Sequence, residues 1–139
     1  MTPPRPSGRT RDASQGAYRT YLRKATDFAR LASLALGSGN ANGAGLAAIH
    51  AVISTCDSLT SFHQGIRSAA EGHEEVAELV RGLRLEGGEE KVRQIRSVLH
   101  LKNLIEYEDR EVEHSEAARL VTQAERILTW ARRHLPSQP

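Results

Sequence analysis

The sequence predicts an all-α fold, an antiparallel four-helix up-and-down bundle with one additional short helix. Along four long segments, apolar residues recur at spacings of mostly three and four, and short stretches rich in Gly, Asn or charge separate these segments. No run of alternating β-branched and aromatic residues bounded by turns indicates a strand. With 139 residues, the chain can bury a single core without a metal or a disulfide, so we expect one domain over residues 14–136.

Residues 1–13 differ in composition from the rest of the chain. Arg5, Arg9 and Arg11 stand among Pro, Ser, Gly and Thr, and no large apolar residue follows Met1 in this segment. Such a segment buries too little apolar surface to offset the entropy of ordering. We therefore expect a disordered basic N-terminal arm.

Charge and cysteine content limit the function classes. Lys and Arg total 19 and Asp and Glu total 17, and the resulting formal charge of +2 is a weak signal for nucleic-acid binding. No apolar stretch is long enough to span a bilayer, and none follows the N-terminal arginines as a secretory signal requires. The single cysteine, Cys56, excludes a disulfide within the chain and is expected to pack as a small buried apolar residue. We expect a soluble, cytoplasmic protein.

The first helix is expected to begin near Tyr18 and to end at Gly37, because glycine favours the left-handed conformation past a helix end. The second helix begins near Asn40 or Asn42 and runs to about His63. Its small residues at 43–48 permit the close approach of a neighbouring backbone, either in the same chain or in a second subunit.

The second half of the chain predicts a loop at 66–72 and three further helices. Ser115 is the expected N-cap of the last helix, Pro136 ends that helix, and Trp130 is expected to pack in the core. The expected helices lie at about 73–83, 89–107 and 116–135.

The stretch 101–109, LKNLIEYED, concentrates polar residues at the end of a helix that is otherwise apolar on its inner side. Residues three and four apart share a helix face, so these side chains project close together. His50 and Asp57, seven apart, share one face of the second helix and could meet them if the two helices are neighbours. The combined cluster would suit an anion, or would close a polar network within the core. Its members on the fourth helix are Lys102, Asn103, Glu106 and Tyr107.

Four segments together carry a family resemblance. They are HAVISTCDSL from His50, GIRSAAEGHEEVAELV from Gly65, LHLKNLIEYE from Leu99 and EAARLVTQAERILTWA from Glu116. Taken together, these segments resemble the HEPN superfamily of small helical-bundle proteins over roughly residues 17–135. The closer likeness is to the actinobacterial branch that keeps a histidine and an aspartate on helix two.

The resemblance implies an activity and partners. Many HEPN proteins are metal-independent ribonucleases that act as dimers, often as toxins beside a small nucleotidyltransferase or in phage defence. For this chain the resemblance implies RNA or a nucleotide as ligand, a homodimer, a nucleotidyltransferase-type antitoxin as partner, and neither a metal nor another cofactor.

The signature of HEPN nucleases is an arginine and a histidine a few residues apart, usually opening with Arg-Asn on the penultimate helix. The matching residues here are Lys102-Asn103 and Tyr107. Lysine keeps a positive charge but loses the planar fork, and tyrosine is a poor base near neutral pH. The motif at this position is therefore degenerate.

Two other pairs satisfy the signature spacing. Arg67 and His73 have five residues between them, and Arg93 and His100 have six. We take Arg67 and His73 as the candidate catalytic residues. The ligand-binding candidates are His50, Asp57, Lys102, Asn103 and Tyr107.

Two functions compete. The first is a HEPN-like protein that binds RNA or a nucleotide and, if it is an enzyme, cleaves RNA without metal while Arg67 or Lys102 stabilises the charge on the phosphate. The second is a non-catalytic module for helical dimerisation or protein interaction, in which the polar cluster is only structural. A solvent-accessible pocket lined by Arg67 and Lys102 favours the first function, and a sealed, hydrogen-bonded cluster favours the second.

Overall fold

A computed structural model describes residues 10–68 and 73–137 of the chain, except for the side chains of Gln15 and His73. This part is mainly helical, in agreement with the predicted class. Among the described residues, no helix combines the length and apolar character that crossing a bilayer requires. The elements are strand β1 (Thr10–Asp12), one 3-10 turn (Gln15–Ala17), helices α1 (Tyr18–Gly37) and α2 (Ala41–Gln64), strand β2 (Ile66–Ser68), and helices α3 (His73–Gly82), α4 (Gly88–Tyr107) and α5 (His114–Arg132).

Helix α2 is the central element, because it packs against each of the other four α-helices of the described chain. Its most extensive contact is with α1. The rings of Tyr18 and Phe62 lie 5.1 Å apart, and those of Phe28 and His50 lie 5.7 Å apart. Since residue numbers rise along α1 while they fall along α2, these two helices are antiparallel.

The sequence of α2 explains why a helix so rich in hydroxyl groups can be buried. The hydroxyl of Thr55 donates to the Ala51 carbonyl at 2.7 Å, and that of Ser58 donates to the Thr55 carbonyl at 2.6 Å. These bonds satisfy the Thr55 and Ser58 hydroxyls within the helix itself, whereas the buried Ser61 hydroxyl has no hydrogen-bond partner among the described residues. Cys56 is buried beside them, as predicted.

The ends of α2 follow the predicted signals. The Asn40 side chain caps the helix by accepting from the Gly43 backbone N–H at 2.9 Å. At the other end, Gly65 adopts a left-handed conformation with φ of 67°. Of the two starts that the sequence left open, the structure therefore selects Asn40.

The boundaries of α5 differ from the prediction. The helix begins at His114, so Ser115 lies inside it and Glu113 occupies the cap position without a side-chain bond. Arg110 in the preceding linker donates two bonds of 3.1 Å to the Glu116 carboxylate. This bidentate pair connects the linker to the first turn of α5, but it is not a cap of the kind expected from Ser115, in which the side chain at the cap position accepts a backbone N–H. Trp130 is buried, as predicted, and donates to the Glu86 carbonyl at 2.8 Å.

The prediction of no strand was wrong. Strand β1 pairs antiparallel with β2, with Arg11 opposite Arg67. Three residues are too few to show alternation, and the partner lies more than fifty positions away, so neither strand has a local signal. Ile66 is the one large apolar residue of the pair and is buried. Residues 1–9 of the predicted arm lie outside the described residues.

Candidate functional site

The predicted site residues form two separate groups along α2. His50 belongs to the first and Asp57 to the second, and seven helical residues separate them by about 10 Å along the axis. We call the first set the His50 group and the second the Asp57 group. The His50 group contains His50, Lys102, Glu106 and Tyr107, and the Asp57 group contains Asp57, Arg67 and Lys24.

Glu106 is the centre of the His50 group. Its carboxylate accepts a hydrogen bond from Lys102 Nζ at 2.9 Å, and its other oxygen lies 3.7 Å from His50 Nε2. The hydrogen bond from Lys102, followed by the Lys102 charge and by contributions of Tyr107 and His50, lowers the pKa of Glu106 against the opposing effect of burial. Lys102 is consequently ion-paired within the chain, which leaves its charge less available to a phosphate.

The other two binding candidates on α4, Tyr107 and Asn103, differ in whether they contact Lys102. Tyr107 is the last residue of α4, and its ring lies 5.9 Å from Lys102 Nζ with the side chain 76% exposed. Asn103 is exposed and belongs to neither group. The sequence identified Glu106 as a member of the polar stretch but did not assign it a binding role.

The Asp57 group brings together a half-buried carboxyl group and two cations. Burial raises the pKa of Asp57 to about 6, while the nearby charges of Arg67 and Lys24 act in the opposite direction. Arg67 lies on β2, where its Nη1 also donates to the Ser68 carbonyl at 3.3 Å. The sequence indicated Arg67 as a partner but assigned Lys24 to the solvent side of α1. Lys24 lies four residues before Phe28, which contacts α2. This spacing was the sequence signal that indicated a position of Lys24 near α2.

The candidate catalytic pair cannot be assembled from the described residues. His73 begins α3, but its side chain lies outside the described set. Arg93 and His100 are both exposed on α4. Burial raises the pKa of the Cys56 thiol, which makes that group a poor nucleophile.

Large apolar side chains are exposed on α1, on α2 and at the end of α4, and one of them, Tyr107, belongs to the His50 group. Leu31, Leu34, Leu46 and Tyr107 are 54%, 67%, 37% and 76% exposed, and they are the large apolar residues with exposed side chains in the described part of the chain. We call these four residues the apolar patch. The sequence analysis did not identify it, although Leu31 and Leu34 fall outside the inward stripe of the first helix and so were surplus apolar residues.

The arrangement limits the chemistry that these residues can perform. Within the described ranges, no three His, Cys, Asp or Glu side chains gather to hold a metal ion. A cleft of about 860 Å³ lies between α3 and α4, and another of about 560 Å³ lies between α1 and the residues after α5. Neither cleft is lined by a residue of the His50 or Asp57 group.

Comparison with known proteins adds no assignment. No protein-family model matches the sequence, and no curated protein matches it either. The functional argument therefore depends on the geometry of the two polar groups and the apolar patch.

Proposed function

We propose that this protein is a helical interaction module that forms a homodimer through the apolar patch, without catalysing a reaction. The observation that carries the proposal is the exposure of four large apolar side chains, Leu31, Leu34, Leu46 and Tyr107, the last of which contacts Lys102 of the His50 group. Large apolar side chains that cluster on a surface are typical of interaction sites, whereas scattered ones are not.

Helix geometry places two members of the apolar patch at the same level along α1 and α2. Phe28 contacts His50 across the antiparallel pair of α1 and α2. Leu31 lies three residues beyond Phe28, and Leu46 lies four residues before His50, so both are displaced by about one turn in the same direction. The two leucines therefore stand at the same level, beside the histidine that faces Glu106.

A second copy of the chain fits this surface by charge. The His50 group carries a cation, Lys102, next to an anion, Glu106, with both side chains partly buried. In an isologous interface around a two-fold axis through the patch, any contact that the Lys102–Glu106 pair makes with the second copy would occur twice. The surrounding leucines would supply the apolar area that this contact buries.

The same proposal includes the finer features that the sequence predicts. We propose a HEPN-type fold with an up-and-down arrangement of the four long helices, and a homodimer as its functional form. The polar cluster of 101–109 then serves as the ordered centre of an interface. A nucleotidyltransferase-type partner remains part of the proposal as a protein that binds the assembled dimer.

Self-association can be measured directly. We expect the wild type to sediment as a dimer at micromolar concentration, and Leu34→Lys with Leu46→Lys to sediment as a monomer. Each buried leucine contributes about 2 kcal/mol, so the double variant should weaken association by about a hundredfold or more. Analytical ultracentrifugation over a concentration series gives the dissociation constant.

The matched control adds the same charge elsewhere. Thr122 and Thr129 are exposed on α5, and the Thr122→Lys, Thr129→Lys double variant should dimerise like the wild type. A wild type that stays monomeric at about 100 μM, where weak dimers already form, would disprove self-association through this surface.

The Asp57 group favours a second function, the binding of RNA or a nucleotide with metal-independent cleavage. A carboxyl group whose pKa is about 6 is partly protonated near neutral pH, and the charges of Arg67 and Lys24 act on it. In this function Asp57 accepts the proton of a ribose 2′-OH that attacks the adjacent phosphorus. The two cations stabilise the phosphate charge, and the leaving 5′-oxygen takes a proton from water.

Cleavage of a mixed-sequence RNA in the presence of chelator tests this second function. Cleavage by the wild type should fall by at least about a hundredfold in Asp57→Asn and in Arg67→Gln, as is typical when a general base or a charge-stabilising group is removed. His73→Ala tests the candidate that lies outside the described side chains, and Arg126→Gln on the exposed face of α5 is the control. The absence of cleavage by folded wild type would leave the interaction module as the sole proposal.

A further inference from the structure

A cleft of about 560 Å³ lies between the first half of α1 and the residues that follow α5. Three arginines line it, Arg19 and Arg23 from α1 and Arg132 from the end of α5, together with one carboxylate, that of Asp27. The cleft therefore carries a formal charge of +2 from these four groups. No residue of the apolar patch lines the cleft, so binding to it can be measured separately from self-association.

The arginines of this cleft are not among those that form ion pairs within the described residues. Arg81, Arg96 and Arg110 each pair with a glutamate. Within the described residues, Arg19, Arg23 and Arg132 have no carboxylate at ion-pair distance, although Asp27 lines the same cleft. Arg19 and Arg23 are also four apart on one helix, and like charges at that spacing destabilise a helix slightly. The proximity of these two positive charges therefore does not stabilise α1.

Neutral partners hold two of the three guanidinium groups in place. The Arg19 guanidinium lies 5.2 Å from the centre of the Tyr18 ring. Arg132 Nη2 donates to the Thr26 hydroxyl at 2.7 Å, and that hydroxyl donates to the Leu22 carbonyl at 2.9 Å. These contacts orient the two arginines while leaving their charge unneutralised. A preorganised cation loses little entropy when it binds an anion.

We infer that this cleft binds a phosphate monoester. The planar guanidinium fork matches phosphate oxygens, and the dianion of a monoester balances the charge of +2. Leu22, Leu135 and Pro136 form an apolar wall in the same cleft, next to the arginines. That wall suits the organic group of the ester, so a monoester should bind more tightly than free phosphate.

The carboxylate of Asp27 provides a second test of anion binding in this cleft. Its carboxylate lines the cleft on the same helix as Arg23, four positions further along. A negative charge there opposes the binding of an anion. Removing this charge should therefore strengthen binding, an effect that a merely structural role would not produce.

The test is a calorimetric or NMR titration of the full chain with phenyl phosphate and, separately, with inorganic phosphate. We expect phenyl phosphate to bind more tightly than phosphate. Arg23→Gln and Arg132→Gln should each weaken its binding by about tenfold or more, as expected for the loss of a hydrogen bond to a charged group. Asp27→Asn should strengthen the binding.

Arg93→Gln is the control, because Arg93 is exposed on α4 and does not line the cleft. It should bind phenyl phosphate like the wild type. Arg23→Gln removes no contact of the described fold, so it tests the site even if Arg132→Gln unfolds the end of α5. Absence of phenyl phosphate binding at millimolar concentration would overturn the inference, as would an equal loss of binding in Arg93→Gln.

Discussion

Asp57 shows at the scale of one residue how a charge is tolerated inside this fold. Burial raises its pKa from the ordinary 3.8 to about 6, even though Arg67 and Lys24 lie nearby. The sequence could predict that a carboxylate on α2 needs a cationic partner, and it named Arg67. It assigned Lys24 to the solvent side of α1, because the spacing of four from Phe28 points to Asp57 only when the packing of α1 on α2 is known.

The raised pKa makes a prediction about stability and pH. Between pH 4 and pH 6 the folded chain binds more protons at Asp57 than the unfolded chain does, so the free energy of unfolding falls as the pH rises through this range. At pH 7 the ionised group destabilises the fold by about 1 to 3 kcal/mol. Asp57→Asn should therefore be more stable than the wild type at pH 7, by about that amount, and should lack this pH dependence.

Urea denaturation at pH 4, 5, 6 and 7 measures the effect. Asp109→Asn in the exposed linker after α4 is the matched control and should follow the wild type at every pH. If Asp57→Asn is instead less stable at pH 7, the attraction of Arg67 and Lys24 outweighs the cost of burial.

At the scale of the element, the small residues at the start of α2 allow close packing within the chain. The sequence left open whether they approach the same chain or a second subunit. A Cβ built on Gly45 would lie 3.5 Å from Ile105 and from Val112, so this face of α2 packs within the chain. A Cβ on Gly43 would lie 2.5 Å from the side chain of Asn40, which caps the helix. The homodimer proposal therefore depends on the apolar patch and not on these small residues.

The two glycines should respond oppositely to alanine. Gly45→Ala meets only ordinary contacts and should raise the free energy of unfolding by about 0.5 to 1 kcal/mol, because alanine loses less entropy in a helix. Gly43→Ala displaces the Asn40 cap, which costs about 1 kcal/mol and removes that gain. In an Asn40→Ala background the cap is already absent, so Gly43→Ala should become stabilising. Thermal and urea denaturation of the wild type, Gly43→Ala, Asn40→Ala and the double variant gives a double-mutant cycle, and Gly45→Ala is measured beside it. A stabilising effect of Gly43→Ala in the wild type would contradict the steric argument.

At the scale of the whole molecule, the sequence predicts what depends on periodicity and misses what depends on distant pairing. The five helices, the Asn40 cap and the burial of Cys56 and Trp130 all have local signals, and the structure confirms them. The strands at Thr10–Asp12 and Ile66–Ser68 have none. The sequence implies that His50 and Asp57 lie about 10 Å apart, because seven residues separate them on one helix. It does not show which residues of the other elements contact each of them.

The central position of α2 predicts a single cooperative unfolding transition. Because the other four α-helices of the described chain pack on α2, loss of any one of them exposes apolar surface of the same core. The chain has one tryptophan, Trp130, which reports the junction of α5 with the segment before α4, while far-UV circular dichroism reports all helices. Urea curves from tryptophan fluorescence and from circular dichroism should therefore coincide. A fluorescence midpoint that precedes the dichroism midpoint would show that α5 separates first, and α2 would then not couple the helices into one unit.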